Sequence, residues 1–264
     1  MGLKLIPNMI TAAALMVSFA AIVAASHHAY LLSAQLMMLV LILDGLDGFT
    51  ARMLRCTSAF GAELDTFVDH TAFGLVPAYL IFQILVPEQP FWGWTLALAT
   101  VMSGASRLAR FRVVDPYRGQ MGYLGLPITV NAGWVAMMVL ITESGILGSY
   151  DVSLGNGIWA LLAWGCSAIF LVLQVSYVRY GKPTKTPYVF VGGVVCVALL
   201  FFRVEVQVGS ALMLIAFGLY YAFISPIVAP PKPPPPSSVD EDDEDEDDLD
   251  TEIDSDDDLI RVGD

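Results

Sequence analysis

The sequence predicts an all-α integral membrane protein, a polytopic bundle of about eight transmembrane helices followed by a disordered acidic tail. Hydrophobic residues make up 56% of the 264 residues and charged residues only 15%, and the mean hydropathy is +0.65. A soluble domain of this length needs more polar surface. Apolar stretches of about 20 residues, which is the length that crosses the hydrocarbon core, recur along the chain. The acidic residues collect at one end, where residues 240–264 hold sixteen Asp and Glu against one Arg.

Polar or Gly/Pro-containing breaks divide the apolar part of the chain into eight segments, which together form one transmembrane domain, residues 1–228. Typical breaks are Pro87-Glu88-Gln89-Pro90 and Gly181-Lys182-Pro183. We expect membrane-spanning helices at about residues 8–26, 30–51, 61–86, 92–112, 124–143, 155–178, 187–203 and 207–226.

The positions of the basic residues predict the orientation of the bundle. With eight spans, nearly all Lys and Arg of the membrane domain fall at one membrane face, and the opposite loops carry essentially Arg203 alone. Positive residues favour the cytoplasmic side of a membrane. We therefore expect both termini and the basic face to be cytoplasmic.

The composition changes abruptly after Pro226. Residues 229–239 contain a proline run that reads as a semi-rigid polyproline linker. Residues 240–264 offer almost nothing to bury, so a disordered tail is expected there. A solvated tail without a specific role is the simplest interpretation, and binding of a partner or of cations is the alternative.

Four aspartates stand where two predicted spans meet. Asp44 and Asp47 are three residues apart, and Asp65 and Asp69 are four apart. On helices, each spacing puts both carboxylates on one face, about one turn apart. The first pair ends one span and the second lies about one turn into the next, after a short loop. If the two helices run antiparallel, all four carboxylates converge.

Carboxylates gathered near an apolar boundary need a compensating charge, and ionisable groups in membrane proteins are by default functional. Oxygen-only ligands select hard cations such as Mg²⁺ or Mn²⁺, and no His or Cys joins this set. These ions commonly bridge carboxylates to the phosphates of a substrate. Arg52, at the membrane surface beside the acids, suits a diphosphate. Gly48 and Gly61 clear side chains from the flanking helix faces.

The pattern D-x-x-D-G-x-x-A-R-(x8)-G-x-x-x-D-x-x-x-D, from Asp44 to Asp69, resembles the signature of the CDP-alcohol phosphotransferase family. In that family, a hydroxyl displaces CMP from a CDP-linked lipid or alcohol. The resemblance implies that Asp44, Asp47, Asp65 and Asp69 hold metal, and that Asp69 also acts as the general base. It further implies contacts with the CDP-lipid at Asn8, Thr11, Gly48, Ala51, Arg52, Ser58 and Gly61.

Two further blocks are similar to the bacterial and archaeal phosphatidylserine synthases within that family. Residues 58–69 match their S-x-F-G-x-E-L-D-S-x-x-D except for one Thr, and residues 104–111 match their G-A-x-R-L-A-R-F. This likeness implies phosphatidyl transfer from CDP-diacylglycerol to L-serine in a prokaryotic inner membrane, with the active site on the cytoplasmic side. Arg110, preferred to Arg107, would bind the carboxylate of serine.

Two alternatives stay open. The same chemistry could use another acceptor, such as glycerol-3-phosphate, an inositol phosphate or choline. A cation transporter is a more distant alternative, because transport sites usually lie at the membrane midplane and these acids cluster at one face. The lipid bilayer is an expected partner, a homodimer is left open, and no nucleic-acid partner is expected.

Overall fold

A computed structural model describes residues 5–56, 58–113, 122–145, 152–181, 187–202 and 204–228. The predicted linker, residues 229–239, and the predicted tail, residues 240–264, lie outside these ranges. The helices are α1 (Leu5–Ser26), α2 (Tyr30–Met53), α3 (Ala59–His70), α4 (Val76–Leu85), α5 (Pro90–Val113), α6 (Ile128–Glu143), α7 (Gly157–Val175), α8 (Pro187–Leu199), α9 (Val204–Leu219) and α10 (Ser225–Val228).

Two π-helical turns join neighbouring helices into longer rods. Thr71–Leu75 connects α3 to α4, and Tyr220–Ile224 connects α9 to α10. The ten helices thus form eight helical segments, one near each predicted span. The prediction of an all-α membrane protein is confirmed for the described residues.

Within the described ranges, five segments are long and apolar enough to cross a membrane: Ile6–Ser26, Tyr30–Met53, Ala59–Leu85, Gly157–Val175 and Glu205–Val228. Helix α6 is apolar but has only 16 residues. Helix α5 has 24 residues, but it contains several Gly, Ser and Thr and three arginines near its end. Helix α8 has 13 residues, about 20 Å at 1.5 Å per residue.

A short pair of strands was not predicted. The strands β1 (Gly122–Leu124) and β2 (Arg179–Gly181) pair antiparallel, with Tyr123 opposite Tyr180. The fifth predicted span was expected to begin at residue 124, but α6 begins only at Ile128. Three-residue strands have no recognisable alternation, and this pairing joins segments far apart in sequence, so sequence periodicity does not reveal it.

The bundle packs through small residues on α1 and through one central helix. Ala14, Ala21 and Ala25 of α1 are fully buried, which lets α2 approach closely. Helix α6 contacts α2, α7 and α9, and it buries residues on all sides, including Ala132, Val135 and Leu140. The antiparallel α1 and α2 bring the start of α1 beside the end of α2, where the first two aspartates lie.

Candidate active site

The end of α2 and the beginning of α3 bring the predicted aspartates into one cavity. One carboxylate oxygen each of Asp44, Asp47 and Asp65 lies within 4.8 Å of the others. Asp69, one turn further along α3, lines the same cavity. Its Oδ1 is buried and has no hydrogen-bond partner among the described residues. The convergence predicted from the two spacings is therefore observed.

The first turn of α3 is fixed by a side-chain cap and by contact with α1. Ser58 has an extended backbone, and its Oγ accepts a hydrogen bond from the backbone N–H of Gly61 at 3.0 Å, which stabilises the helix start. A Cβ atom at Gly61 would lie 2.9 Å from Oδ1 of Asn8. A larger residue here would force the end of the Asn8 side chain to shift. Asn8, Ser58 and Gly61 therefore form one cluster, but none of them lines the described cavity.

Thr11 holds one of the aspartates. Its hydroxyl donates to Oδ2 of Asp47 at 2.6 Å, and it also lies 3.0 Å from the carbonyl oxygen of Pro7. Both Thr11 and Asp47 are buried. The Thr11 contact therefore holds the carboxylate of Asp47 from α1. Thr11 was predicted to contact the CDP-lipid, but it does not line the described cavity.

The cavity has a volume of about 1150 Å³ and two kinds of lining residue. The charged lining residues are the four aspartates and three arginines, Arg52, Arg107 and Arg112. Apolar lining residues come from several helices, among them Leu41 of α2, Met137 of α6, Val197 of α8 and Leu214 of α9. Such a cavity accommodates a ligand that has both a charged and an apolar part.

Among the predicted CDP-lipid contacts, Gly48 and Arg52 line this cavity. A Cβ atom at Gly48 would lie 3.3 Å from Nη1 of Arg52, so glycine leaves room for the guanidinium beside the acids. Ala51 is half-buried and is absent from the cavity wall formed by the described residues.

The donor set fits a hard divalent cation. The three clustered ligand atoms are all carboxylate oxygens, and Mg²⁺ and Mn²⁺ prefer such ligands. The buried Oδ1 of Asp69, which has no hydrogen-bond partner in the described part of the chain, is a further oxygen donor at the same cavity. Several carboxylates at this distance repel one another, and a bound cation would relieve that repulsion.

The two arginines considered for acceptor binding have different environments in the structure. Arg107 is buried, and its guanidinium carbon lies 5.7 Å from the ring centre of Phe111 and 5.8 Å from that of Tyr123. It lines the cavity together with Asp69. Arg110 does not contribute to the cavity wall described here, so the geometry does not support our preference for Arg110.

Arg110 instead joins the end of α7 to the end of β1. Its Nη1 donates to the carbonyl oxygen of Val175 at 2.7 Å, and its Nη2 donates to those of Gln174 at 2.9 Å, Ser176 at 2.8 Å and Leu124 at 3.2 Å. Carbonyl groups at a helix C-terminus lack partners within the helix, and a cation satisfies them. The Arg110 guanidinium, which was expected to bind the acceptor, is instead bonded to these backbone carbonyls.

Replacing Arg110 by Ala is therefore expected to destabilise the fold. The loss should reach at least the roughly 1.5–3 kcal/mol that one hydrogen bond to a charged group contributes, and it should lower the Tm by several degrees. Thermal unfolding of the detergent-solubilised protein measures this, with Arg55→Ala as the control because Arg55 is exposed. An unchanged Tm for Arg110→Ala would contradict the structural role.

Among the cavity residues that sequence reasoning missed are Arg112, Tyr123 and Tyr221. Arg112 was counted only among the positive residues at the basic face. Tyr123 lies on β1 and Tyr221 in the second π-helical turn, and neither belongs to a recognised pattern. Of these three residues, only Arg112 could have been predicted from the sequence, because it stands close to Arg107 and Arg110 near the end of α5.

Comparison with known proteins shows the family of this chain. Residues 4–176 match the CDP-alcohol phosphatidyltransferase family, and the chain belongs to this family of membrane transferases of phospholipid biosynthesis.

Its relatives include proteins named CDP-diacylglycerol–serine O-phosphatidyltransferase. The one from Helicobacter pylori (strain J99) is 31% identical over 204 residues, which cover 76% of this chain and 83% of the relative. The one from Methanocaldococcus jannaschii is 32% identical over 169 residues, covering 64% and 73%. The one from Mycobacterium tuberculosis (strain CDC 1551) is 29% identical over 182 residues, covering 66% and 60%.

Proposed function

We propose that the chain transfers a phosphatidyl group from CDP-diacylglycerol to the hydroxyl of L-serine, releasing CMP and phosphatidylserine. The observation that carries this proposal is one cavity that four carboxylates and three guanidinium groups line together with many apolar side chains. A CDP-linked diacyl lipid has a matching charged diphosphate and apolar chains. The names of the relatives support serine as the acceptor.

Asp44, Asp47, Asp65 and Asp69 would hold Mg²⁺ or Mn²⁺. When bound, the ion would neutralise the diphosphate and stabilise the charge that develops on it. Thr11 orients Asp47 for this purpose through its 2.6 Å hydrogen bond. Arg52, at the cavity wall beside Gly48, is placed to bind the diphosphate and the departing CMP.

Asp69 would accept the proton of the serine hydroxyl as that oxygen attacks the lipid-side phosphorus. Asp69 lines the cavity that would receive the acceptor, and its Oδ1 has no hydrogen-bond partner among the described residues. The bond between this phosphorus and the CMP oxygen breaks, and CMP departs with the electron pair. General-base assistance typically contributes about 10²–10⁴-fold to the rate.

Arg107 would bind the carboxylate of serine. It is buried, lines the same cavity as Asp69, and carries a planar fork of donors that matches a carboxylate. A phosphorylated acceptor such as glycerol-3-phosphate brings two negative charges and would need additional cations. Arg110, which is bonded to four backbone carbonyls, does not serve as one.

The site would face the cytoplasm of a prokaryotic inner membrane, as would both termini. Four arginines lie at helix ends or on β2, at the membrane face that holds the aspartates: Arg52, Arg107, Arg112 and Arg179. Positive residues favour the cytoplasmic side of a membrane. CDP-diacylglycerol and L-serine are the proposed partners, the lipid from the bilayer and the amino acid from water.

An acceptor panel tests this function. Purified protein in detergent is incubated with CDP-diacylglycerol, Mg²⁺ or Mn²⁺, and one of serine, glycerol-3-phosphate, an inositol phosphate or choline. We expect CMP release and phosphatidylserine only with serine, and loss of both with EDTA. CMP release with another acceptor and not with serine would refute the serine assignment, and no CMP release with any of them would refute the proposed transfer.

A further inference from the structure

Arg112, near the end of α5, makes three contacts with the first turns of α3. Its Nε donates to Oγ1 of Thr66 at 2.9 Å, and its Nη2 donates to the carbonyl oxygen of Ala62. Nη2 also lies 3.3 Å from Oε1 of Glu63. The hydroxyl of Thr66 donates in turn to the carbonyl oxygen of Ala62 at 3.0 Å. One guanidinium thus connects three residues of two successive turns.

These contacts surround Asp65. Thr66 follows it directly, and Ala62 lies one turn before it. Ala62, Asp65, Thr66 and Arg112 all line the cavity. Because Asp65 is the α3 member of the three-carboxylate cluster, its distance from Asp44 and Asp47 depends on how α3 is rotated and held against its neighbours.

We propose that Arg112 is a positioning residue for the metal site. It fixes the first turns of α3 so that the Asp65 carboxylate stays within ligand distance of Asp44 and Asp47. The proposal rests on the metal site of the proposed function. Arg112 acts through α3, because its Nε and Nη2 are directed to Thr66, Ala62 and Glu63.

A positioning role and a simple charge effect predict opposite changes in metal affinity. A guanidinium near a cation site repels the cation, so removing its charge alone would tighten metal binding. Removing a group that holds a ligand in place weakens binding, typically by roughly 10–100-fold. The sign of the change therefore separates the two explanations.

The test measures Mn²⁺ binding by electron paramagnetic resonance of the free ion, with substrate-free protein in detergent. We expect R112Q to weaken Mn²⁺ affinity by roughly 10–100-fold at temperatures where the metal-free variant is still folded, although its Tm should fall because the contacts between α5 and α3 are lost. Its kcat should recover substantially at high Mn²⁺ concentration. R112K should recover part of the affinity, because an ammonium does not reproduce the two-nitrogen contact.

R55Q is the matched control, since Arg55 is an exposed cation in the loop between α2 and α3, and it should bind Mn²⁺ like the wild type. E63Q should also change little, because Glu63 is exposed and such pairs contribute little. T66V removes the acceptor of Nε and the hydrogen bond from Thr66 to Ala62, but it keeps the contacts of Nη2, so it should weaken binding less than R112Q. If R112Q does not fold, T66V decides the question.

Unchanged or tighter Mn²⁺ binding in R112Q, or wild-type binding in T66V when R112Q does not fold, overturns the proposal. If the wild type uses serine and R112Q binds Mn²⁺ normally, only the role of Arg112 fails. If R112Q binds Mn²⁺ weakly but the wild type ignores serine, only the acceptor assignment fails. A wild type without saturable Mn²⁺ binding overturns both the metal site and the role of Arg112.

Discussion

Replacing Asp69 by Asn is expected to lower kcat by about 10²-fold or more, because the amide cannot accept the proton of the acceptor hydroxyl. Asn has nearly the same shape, so the fold and much of the affinity for CDP-diacylglycerol should remain. The measurement is a comparison of kcat and KM for both substrates at saturating Mn²⁺. Saturation separates loss of the base from weaker metal binding.

Glu88→Gln is the matched control for Asp69→Asn. It also exchanges a carboxylate for an amide, but Glu88 is exposed, follows α4, and contacts Asn156 far from the cavity. It should keep wild-type kcat. Near-normal turnover in Asp69→Asn at saturating Mn²⁺ would remove Asp69 from the role of general base, although it could still hold metal.

Replacing Arg107 by Ala is expected to raise the KM for serine by roughly 10–150-fold, since a charge-assisted hydrogen bond contributes about 1.5–3 kcal/mol. The KM for CDP-diacylglycerol should change little. Arg107→Lys should recover only part of the affinity, because a point charge does not reproduce the two-pronged guanidinium. Steady-state kinetics with each substrate varied in turn provide the measurement.

The contrast with Arg110 makes this experiment specific. Arg110→Ala, assayed below its lowered Tm, should keep a near-normal KM for serine, because its guanidinium is bonded to the carbonyls of α7 and β1. The opposite outcome, with Arg110→Ala raising the serine KM and Arg107→Ala leaving it unchanged, would restore the assignment that the sequence alone favoured.

Much of the site is readable from the sequence because it depends on local spacing. The separations of Asp44 from Asp47 and of Asp65 from Asp69 fix which carboxylates share a helix face, and a short loop makes the two helices neighbours. The apolar segments are readable for the same reason, since each depends only on about 20 consecutive residues.

The roles of the arginines on α5 are not readable in this way. Arg107, Arg110 and Arg112 all satisfy the same preference for positive residues at a cytoplasmic helix end. Arg107 and Arg110 point only about 60° apart around the helix, yet one lines the cavity and the other reaches the end of α7. Which neighbour lies in which direction depends on tertiary packing and on the β1–β2 pairing, and neither has a local signal.

The π-helical turn Thr71–Leu75 sets the orientation of α4 relative to α3. A π turn accommodates one more residue than the corresponding part of an α-helix. If the same residues formed a continuous α-helix, everything beyond the turn would be rotated by about 100° relative to Asp69. Either Asp65 and Asp69 would leave the other carboxylates, or Val76, Leu80 and Ile81, which are fully buried, would turn away from the bundle interior. The π turn thus lets one helical segment direct its aspartates to the cavity and its apolar side chains to the bundle interior.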